Sequence, residues 1–256
     1  MIKISHLFYF LFFLFFSQKS FGENDKSLTV EADNSIEYFE KEQYYLASGN
    51  AIASKDGIIL KANKIKAFFQ NNEDDNQIEL IYGIGNVSIT KNKILAKGEH
   101  VVYNLKKETI KFSKGNQFFK TQNFYIESKT SLSYDKRKHV ANGKGKVKII
   151  LEKNVEILAD QIKAIFSKND NSLLEAIGKG NIKISTKSSK SYAKNAKYSK
   201  RTNIILLEGD VKIIQNNLSI SGQSGMTNLI TGISKIIGNK KKQRVKGKFM
   251  PIKKKK

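Results

Sequence analysis

The stretch VEADNSIEYFEKEQYYLASGNAIASKDGIILKANKIKAFF, from Val30 to Phe69, carries the pattern that decides the fold. Two short signals alternate in it. One is a glycine followed by a polar residue, Gly49-Asn50, and the other is a small residue that closes an alternating segment, first Ala32 and then Ala62. Apolar and polar side chains alternate between these signals, which is typical of strands with one buried face. The stretch therefore predicts β hairpins.

Both signals recur along the chain at intervals of about thirty residues, which indicates an internal repeat. The glycine signal returns at Gly49-Asn50, Gly85-Asn86, Gly115-Asn116, Gly145-Lys146, Gly180-Asn181 and Gly209-Asp210. The small residues are Ala32, Ala62, Ala96, Ser128, Ala159, Ala193 and Ser221. Because two independent signals keep the same spacing, we interpret the chain as one unit repeated along its length.

The apolar alternation shifts by one residue after each small residue. Ala62 is followed by Ile65, and Ala159 is followed by Ile162. In a straight strand this shift would turn the later side chains outward, so we expect a bulge or corner at the small residue. Each unit is then a bent hairpin shared by two layers of sheet. The repeats predict an elongated all-β sheet, V-shaped in section, with about 12–16 antiparallel strands, no long helix and an apolar trough along its axis.

The same stretch resembles the LptA/OstA-like N-terminal domain family. The matching elements are a strand into Ala32-Asp33, a variable hairpin, Ala47-x-Gly49-Asn50, and Leu60-x-Ala62-Asn63. The sequence departs from the family pattern at Ala51, where valine is commoner, and at Asn63, where aspartate is commoner. The segment from Arg244 to Pro251 is also similar to the ending of family members. The resemblance implies an open β-jellyroll and membership of the lipopolysaccharide export machinery.

What the resemblance implies about function is a carrier without enzymatic activity or cofactor. Such a protein binds the lipid A acyl chains of lipopolysaccharide in an apolar groove, as a periplasmic bridge of the LptA kind. It passes the lipid from inner-membrane to outer-membrane complexes, with LptC-like and LptD-like proteins as partners. The alternative is an LptC-like scaffold of the same machinery, anchored in the membrane.

The first residues predict an export signal. An uncharged apolar run, Leu7 to Phe16, follows Lys3, and Ser20-Phe21-Gly22 supplies small residues at a cleavage site. We expect a signal peptide at 1–22, cleaved between Gly22 and Glu23, then repeats over 23–238 and a basic tail at 239–256. The location is then the periplasm of a Gram-negative bacterium. An uncleaved membrane anchor is the alternative interpretation of the apolar run.

The composition excludes several kinds of chemistry. There is no cysteine, so disulfides, thiolate zinc sites and cysteine nucleophiles are absent from the chain. His100 and His139 lie in different repeats without an accompanying carboxylate pattern, and His6 lies in the signal segment. The acidic run Glu73-Asp74-Asp75 is typical of a solvated turn, although calcium binding is an alternative. We expect no metal, and no recurrent pair of carboxylates indicates a glycosidase.

Basic residues outnumber acidic ones, at 46 Lys+Arg against 23 Asp+Glu, for a net charge of +23. Nucleic acid is an obvious partner for such a chain, but the export signal argues against it. Ten basic residues lie in the tail: Lys240, Lys241, Lys242, Arg244, Lys246, Lys248, Lys253, Lys254, Lys255 and Lys256. They either contact lipid phosphates or an anionic membrane, or form a solvated tail.

The candidate groove residues are the inward-facing aliphatic side chains of the repeats. They are Ile58, Leu60, Val87, Ile89, Ile94, Val147, Ile149, Val155, Ile157, Ile182, Ile184, Val211, Ile213, Leu218 and Ile220. Core packing is the alternative role for each of them, and the same alternatives hold for the aromatic residues Tyr44, Tyr45, Phe118, Phe119, Phe124 and Tyr125. The strands near Leu28–Ala32 and Leu218–Ile220 are predicted to be exposed ends that join head to tail, with another copy or with partner proteins.

Overall fold

The computed structural model describes residues 28–72, 75–122, 124–151, 155–170, 172–238 and 244–249, which form an antiparallel sheet of 18 strands. The first nine are β1 (Thr29–Glu31), β2 (Ser35–Phe39), β3 (Tyr44–Lys55), β4 (Ile58–Asn72), β5 (Asp75–Lys91), β6 (Ile94–Asn104), β7 (Thr109–Ser113), β8 (Gln117–Lys120) and β9 (Phe124–Ser128). The others are β10 (Ser131–Asp135), β11 (Val140–Leu151), β12 (Val155–Phe166), β13 (Leu173–Ser185), β14 (Ser189–Ser199), β15 (Ile204–Gln215), β16 (Leu218–Asn228), β17 (Ser234–Ile237) and β18 (Lys246–Phe249).

Some of the sequence predictions concern residues that lie outside these ranges. They are the signal segment with His6, Gly22 and Glu23, the acidic residues Glu73 and Asp74, and most of the basic tail. Within the described ranges, no helix has the length and apolar character needed to cross a membrane.

Each long strand pairs with its neighbours in sequence and bends near its middle. In four places, two consecutive short strands take the place of one bent strand, because each pairs with a different half of the same long strand. These are β1 and β2 on β3, β7 and β8 on β6, β9 and β10 on β11, and β17 and β18 on β16. With each pair counted as one bent strand, the described chain makes fourteen bent strands. The all-β fold is confirmed, and the count falls within the predicted range.

The bends divide the sheet into two layers. Layer A holds the strand halves that meet at turns such as Asp56-Gly57 and Asn92-Lys93. Layer B holds the halves that meet at turns 40–43, 105–108, 136–139 and 200–203. The two layers therefore share one line of bends along the molecule, and each has a row of turns at its free margin.

The bends lie at the glycine signals. The strand register shifts between Ser48 and Ala51, and equivalent shifts occur at Ile84/Val87, Lys144/Val147, Lys179/Ile182 and Glu208/Val211. At each shift, two residues of one strand face one residue of the next, which defines a β-bulge. Both bulge residues have positive φ, as at Gly180 (72°) and Asn181 (45°). The sequence predicted the bulge in the strand that carries the small residue. The structure places it in the neighbouring strand, the one that carries the glycine signal.

A side-chain contact, which we call the corner clasp, closes each of four bends. The residue after the small residue bonds to the residue after the glycine of a neighbouring strand. The clasps are Asn50 Nδ2 to Asp33 Oδ2 at 2.7 Å, Asn86 Nδ2 to Asn63 Oδ1 at 3.3 Å, Asn181 Nδ2 to Asp160 Oδ2 at 2.8 Å, and Lys194 Nζ to Asp210 Oδ2 at 2.8 Å. The clasp gives a physical reason for the paired sequence signals, because each signal supplies one partner.

The two layers converge at the bends. Three of the bend glycines are preceded, two residues earlier, by another glycine. A side chain at that earlier position would point into the space between the two layers. A Cβ added at Gly143 would lie 2.9 Å from Val147 Cγ1, and one added at Gly178 would lie 2.8 Å from Ile182 Cδ1, both side chains beyond the bend. Such distances leave no room for a side chain, so the interior is narrowest along the bends and widens toward the turns.

The buried side chains form two clusters along this wedge. One extends from Ala47 to Phe112 and the other from Phe124 to Ile213, and Phe119 packs against both. The seam between the clusters carries two buried polar residues, Gln117 and Ser128, joined by a hydrogen bond from Gln117 Nε2 to the Ser128 carbonyl at 3.0 Å. The molecule is thus a wedge with two successive cores.

Replacing a bend glycine should destabilise the fold more than replacing a turn glycine. Gly180 and Gly57 both have positive φ, near 72°, so alanine costs about 1–2 kcal/mol at either position. At Gly180 the new Cβ would also lie 2.3 Å from Asp160 Oδ2, whereas nothing lies within 4 Å at Gly57. Urea unfolding of Gly180→Ala should therefore show the larger loss, and equal losses for the two variants would contradict the clasp.

Candidate functional site

The inner faces of the two layers are closed near the bends and open near the turns. Val87, Val147 and Ile182 lie beside bends and are at most 2% exposed. Ile58 and Ile94 lie beside turns on the same inner face and are partly exposed. The interior is therefore a trough whose solvent-accessible wall is made by the residues nearest the turns.

Two adjoining cavities fill the central part of this trough. The first, of about 300 Å³, lies where the two clusters meet and is lined by members of both, such as Phe112 and Leu132. The second, of about 700 Å³, lies over the C-terminal cluster. Asn92 and Ile94 line both, so the two spaces adjoin each other. Volumes in this range suit small ligands and lipid chains.

The fifteen predicted groove residues occupy different depths of the trough. Ile58, Ile89, Ile94 and Val155 line the cavities. Leu218 and Ile220 are half-buried near the C-terminal end. The others are buried in the closed interior, namely Leu60, Val87, Val147, Ile149, Ile157, Ile182, Ile184, Val211 and Ile213. Lipid contact stays a prediction for all of them.

Several cavity residues were not among the predicted groove residues. Tyr103, Ile110, Leu132 and Tyr134 line the first cavity, and Leu151 and Leu173 line the second. Most belong to segments whose repeats match the general pattern loosely. Their signal in the sequence is only the period of two, which does not distinguish a cavity wall from a core.

Aromatic residues separate into inner and outer sets. Phe119 and Phe124 line the cavities, and the Phe119 ring lies 5.8 Å from the Tyr134 ring, a stacked pair. Phe118 and Tyr125 stack on the outer surface at 5.7 Å. Of the aromatic candidates, Phe119 and Phe124 thus face the trough, while Phe118 and Tyr125 do not.

The rim of the first cavity is polar. The Glu108 carboxylate accepts hydrogen bonds from Lys136 and, at 3.4 Å, from Arg137 Nε, and the bond from Lys136 holds the pKa of Glu108 below its usual value. Burial raises the pKa of Tyr103 and of Tyr134, so both phenols stay protonated near neutral pH. The rim therefore has phenol and ammonium donors above an apolar floor.

The trough continues to both edges of the sheet. Among the described residues, β1 and β2 pair only with β3, and β17 and β18 pair only with β16. Ile36 and Tyr38 lie on the inner face of the first edge and are 53% and 52% exposed, because no further strand of the described structure lies beside them. Phe249, 80% exposed, lies opposite Leu218 at the other edge.

Little in the described part of the chain suggests catalysis or metal binding. The described residues contain no group of three His, Asp or Glu side chains that could hold a metal ion. The carboxylates of the trough rim are Glu108, which is engaged by cations, and Asp170, whose pKa is lowered to about 2 by hydrogen bonds from Ser167 and Ser172. Neither is available as a proton donor near neutral pH.

A bent two-layered antiparallel sheet around an apolar trough is an open β-jellyroll. The model of the family described as LptA/(LptD N-terminal domain) LPS transport protein matches this chain twice, over residues 29–124 and 125–232. The chain therefore belongs to this family of lipopolysaccharide transport proteins. The two matches divide at Phe124, close to the seam between the two buried clusters.

A solved structure also matches the chain: LptH, the LptA-homologous periplasmic component of the lipopolysaccharide transport device of Pseudomonas aeruginosa. The two share 11% identity over 89% of this chain and 98% of that one, with a TM-score of 0.23. No curated protein matches the chain. The family assignment rests on the family model.

Truncating Phe119 should weaken the junction of the two clusters. The Phe119 ring packs against both clusters and is partly buried, so Phe119→Ala should lower the free energy of unfolding by about 3 kcal/mol, the lower end of the range for a phenylalanine truncation. Phe118→Ala is the matched control, because this neighbouring ring lies on the outer surface and contacts Tyr125 there. Urea unfolding measures both, and a larger loss for Phe118→Ala would contradict the assignment of inner and outer faces.

Proposed function

We propose that this protein is a non-enzymatic periplasmic carrier that binds lipopolysaccharide by its lipid A acyl chains. The proposal includes export with cleavage between Gly22 and Glu23. It also includes transfer of the lipid from inner-membrane complexes to outer-membrane complexes. The observation that carries the proposal is the trough between the two layers, with two adjoining cavities of about 300 and 700 Å³. The smaller cavity is mainly apolar, and the larger one combines apolar residues with a polar rim. Family membership supports the choice of lipopolysaccharide as the cargo.

The energetics favour acyl chains as occupants. Each methylene removed from water contributes about 0.8 kcal/mol, so a chain of about twelve carbons gains on the order of 10 kcal/mol in an apolar trough. The wall is built by repeated strands, so successive positions along it offer similar aliphatic and aromatic contacts. A lipid can then move between near-equivalent positions without a single deep minimum. This matches the requirement of a carrier rather than of a storage protein.

Lipid contact is best tested by photo-crosslinking from the accessible wall. A photoreactive residue at Ile94, which lines both cavities, or at Val155, which lines the larger one, should capture lipopolysaccharide in cells. The next residues, Leu95 and Glu156, point to the outer face and serve as matched controls. The adduct is detected as a lipopolysaccharide-reactive band of raised mass, and equal labelling of both sets would contradict the proposal.

Assembly into a bridge follows from the two open edges. We infer that β1–β2 of one molecule pairs with β17–β18 of the next, or with the sheet edge of an LptC-like or LptD-like partner. Unpaired strands offer backbone groups for such pairing. The apolar residues Ile36 and Phe249 lie at opposite edges and are both more than half exposed, and joining the edges would cover them. The joint would also make the trough continuous between molecules.

Charged substitutions at the two edges should separate head-to-tail pairing from other modes. Ile36→Lys and Phe249→Lys should each prevent growth of chains in light scattering, because a lysine would have to be buried at the joint. A mixture of the two variants still has one intact edge of each kind, so it should form dimers and stop there. Leu174→Lys, exposed on a central strand, is the control and should assemble as the unaltered protein does. Failure of the mixture to dimerise would contradict the head-to-tail geometry.

A further inference from the structure

Six lysines surround the mouth of the trough, three on each side, and we call them the mouth lysines. They line the two cavities together with the apolar residues of the floor. Lys91, Lys93 and Lys187 belong to the turn side of layer A, and Lys136, Lys168 and Lys200 belong to the turn side of layer B. Positive charge therefore faces positive charge across an opening that leads into an apolar space.

The acidic residues at the mouth leave most of this charge uncompensated. Glu108 and Asp170 are the carboxylates that line the cavities among the described residues. Glu108 is engaged by Lys136 and Arg137, and Asp170 accepts a hydrogen bond from the Ser172 amide at 3.1 Å. Within the described structure, the other five mouth lysines form no ion pair.

Lysines on the outer surface are arranged differently. Several of them have a carboxylate on a neighbouring strand, as Lys148 has in Glu127 and Glu156, and Lys197 has in Glu175 at 3.3 Å. At the mouth, by contrast, like charges converge over low-dielectric walls, which concentrates the positive potential. A ligand with negative charge outside the cavities and apolar chains within them relieves that repulsion.

We propose that the mouth lysines bind the phosphate groups of a lipid whose acyl chains lie in the two cavities. This inference rests on the proposed carrier function. It adds the part of the ligand that the protein recognises, the phosphorylated headgroup. Neutral donors and acceptors line the larger cavity together with Lys93, Lys187 and Lys200, among them Thr186, Ser188 and Asn203, and they suit the hydroxyl groups of a phosphorylated sugar. The chemical class is thus a phosphorylated glycolipid.

The position of the lysines favours a lipid phosphate over free phosphate. The mouth lysines other than Lys91 are exposed, and exposed lysines hold a small anion weakly in water. Chain burial in the adjoining cavities supplies the affinity, and the lysines add selectivity for a charged headgroup. The same lysines also keep the headgroup at the opening, so that only the chains enter the trough.

Binding of two matched probes tests the inference. One probe is bisphosphorylated lipid A and the other is the same lipid with both phosphates removed, each presented in detergent to the full exported protein. The unaltered protein should bind the phosphorylated probe about tenfold more tightly, and this preference should fall as salt is added. The triple variant Lys93→Gln, Lys168→Gln, Lys200→Gln removes mouth lysines that form no ion pair in the described structure, from both sides. It should lose the preference while retaining affinity for the dephosphorylated probe.

The control variant is Lys111→Gln, Lys163→Gln, Lys212→Gln, which removes equal charge from exposed outer positions on β7, β12 and β15. It should keep the preference, and a loss equal to that of the mouth variant would overturn the inference in favour of general charge attraction. Complete displacement by millimolar inorganic phosphate would also overturn it, by indicating a site for the free anion. Equal binding of both probes to the unaltered protein contradicts only the phosphate site, whereas binding of neither contradicts the carrier function itself.

Discussion

The bend that folds every long strand into two layers is the constraint on which the rest of the structure depends. A continuous antiparallel sheet of this length has no interior unless it folds over on itself. Here the bulge of two residues with positive φ supplies the change of direction, as at Gly180-Asn181, and the clasp to Asp160 fixes it. Repeating the same bend in successive strands aligns the bends and produces one groove instead of many separate pockets.

The chemistry of the clasp varies while its geometry is kept. The clasp at Asn181 is an amide donating to a carboxylate, the one at Asn86 joins two amides, and the last is a lysine ammonium with a carboxylate, Lys194 with Asp210. In each of these pairs, one side chain passes close to the bend glycine, in space that a Cβ on that glycine would occupy. The backbone conformation of the bend is therefore the stricter requirement. The side-chain contact that closes it can be made by amide, carboxylate or ammonium groups in several combinations.

The sequence alone predicted the repeated bent hairpin and its two layers because these follow from local signals. Period-two alternation identifies the inner face, and the one-residue shift from Ala62 to Ile65 requires a bend. Depth within the trough was not predictable in this way. Val87 beside a bend and Ile94 beside a turn have the same alternation, yet the first is 1% exposed and the second lines both cavities.

The rim of the trough was also beyond sequence reasoning, for a different reason. In a chain with 46 basic residues, no single lysine stands out in the sequence. The sequence suggested phosphate contact only for the basic tail, with a solvated tail as the alternative. Which lysines face one another is decided by the pairing of turns across two layers, for example the turn at Asn92-Lys93 with the turn at 200–203. That relation is set by the wedge, not by spacing along the chain.

The division of roles within the trough follows from the same wedge. Near the bends the layers are too close for any guest, as the glycines at 143 and 178 indicate, so the residues there serve stability. Toward the turns the layers diverge, the aliphatic wall becomes accessible, and at the rim the chain places charge and hydroxyl groups. From the interior to the rim, the trough changes from apolar to polar. A lipid with its chains inward and its headgroup at the rim matches this order. The bend that creates the core thus also sets the order in which the trough meets a lipid.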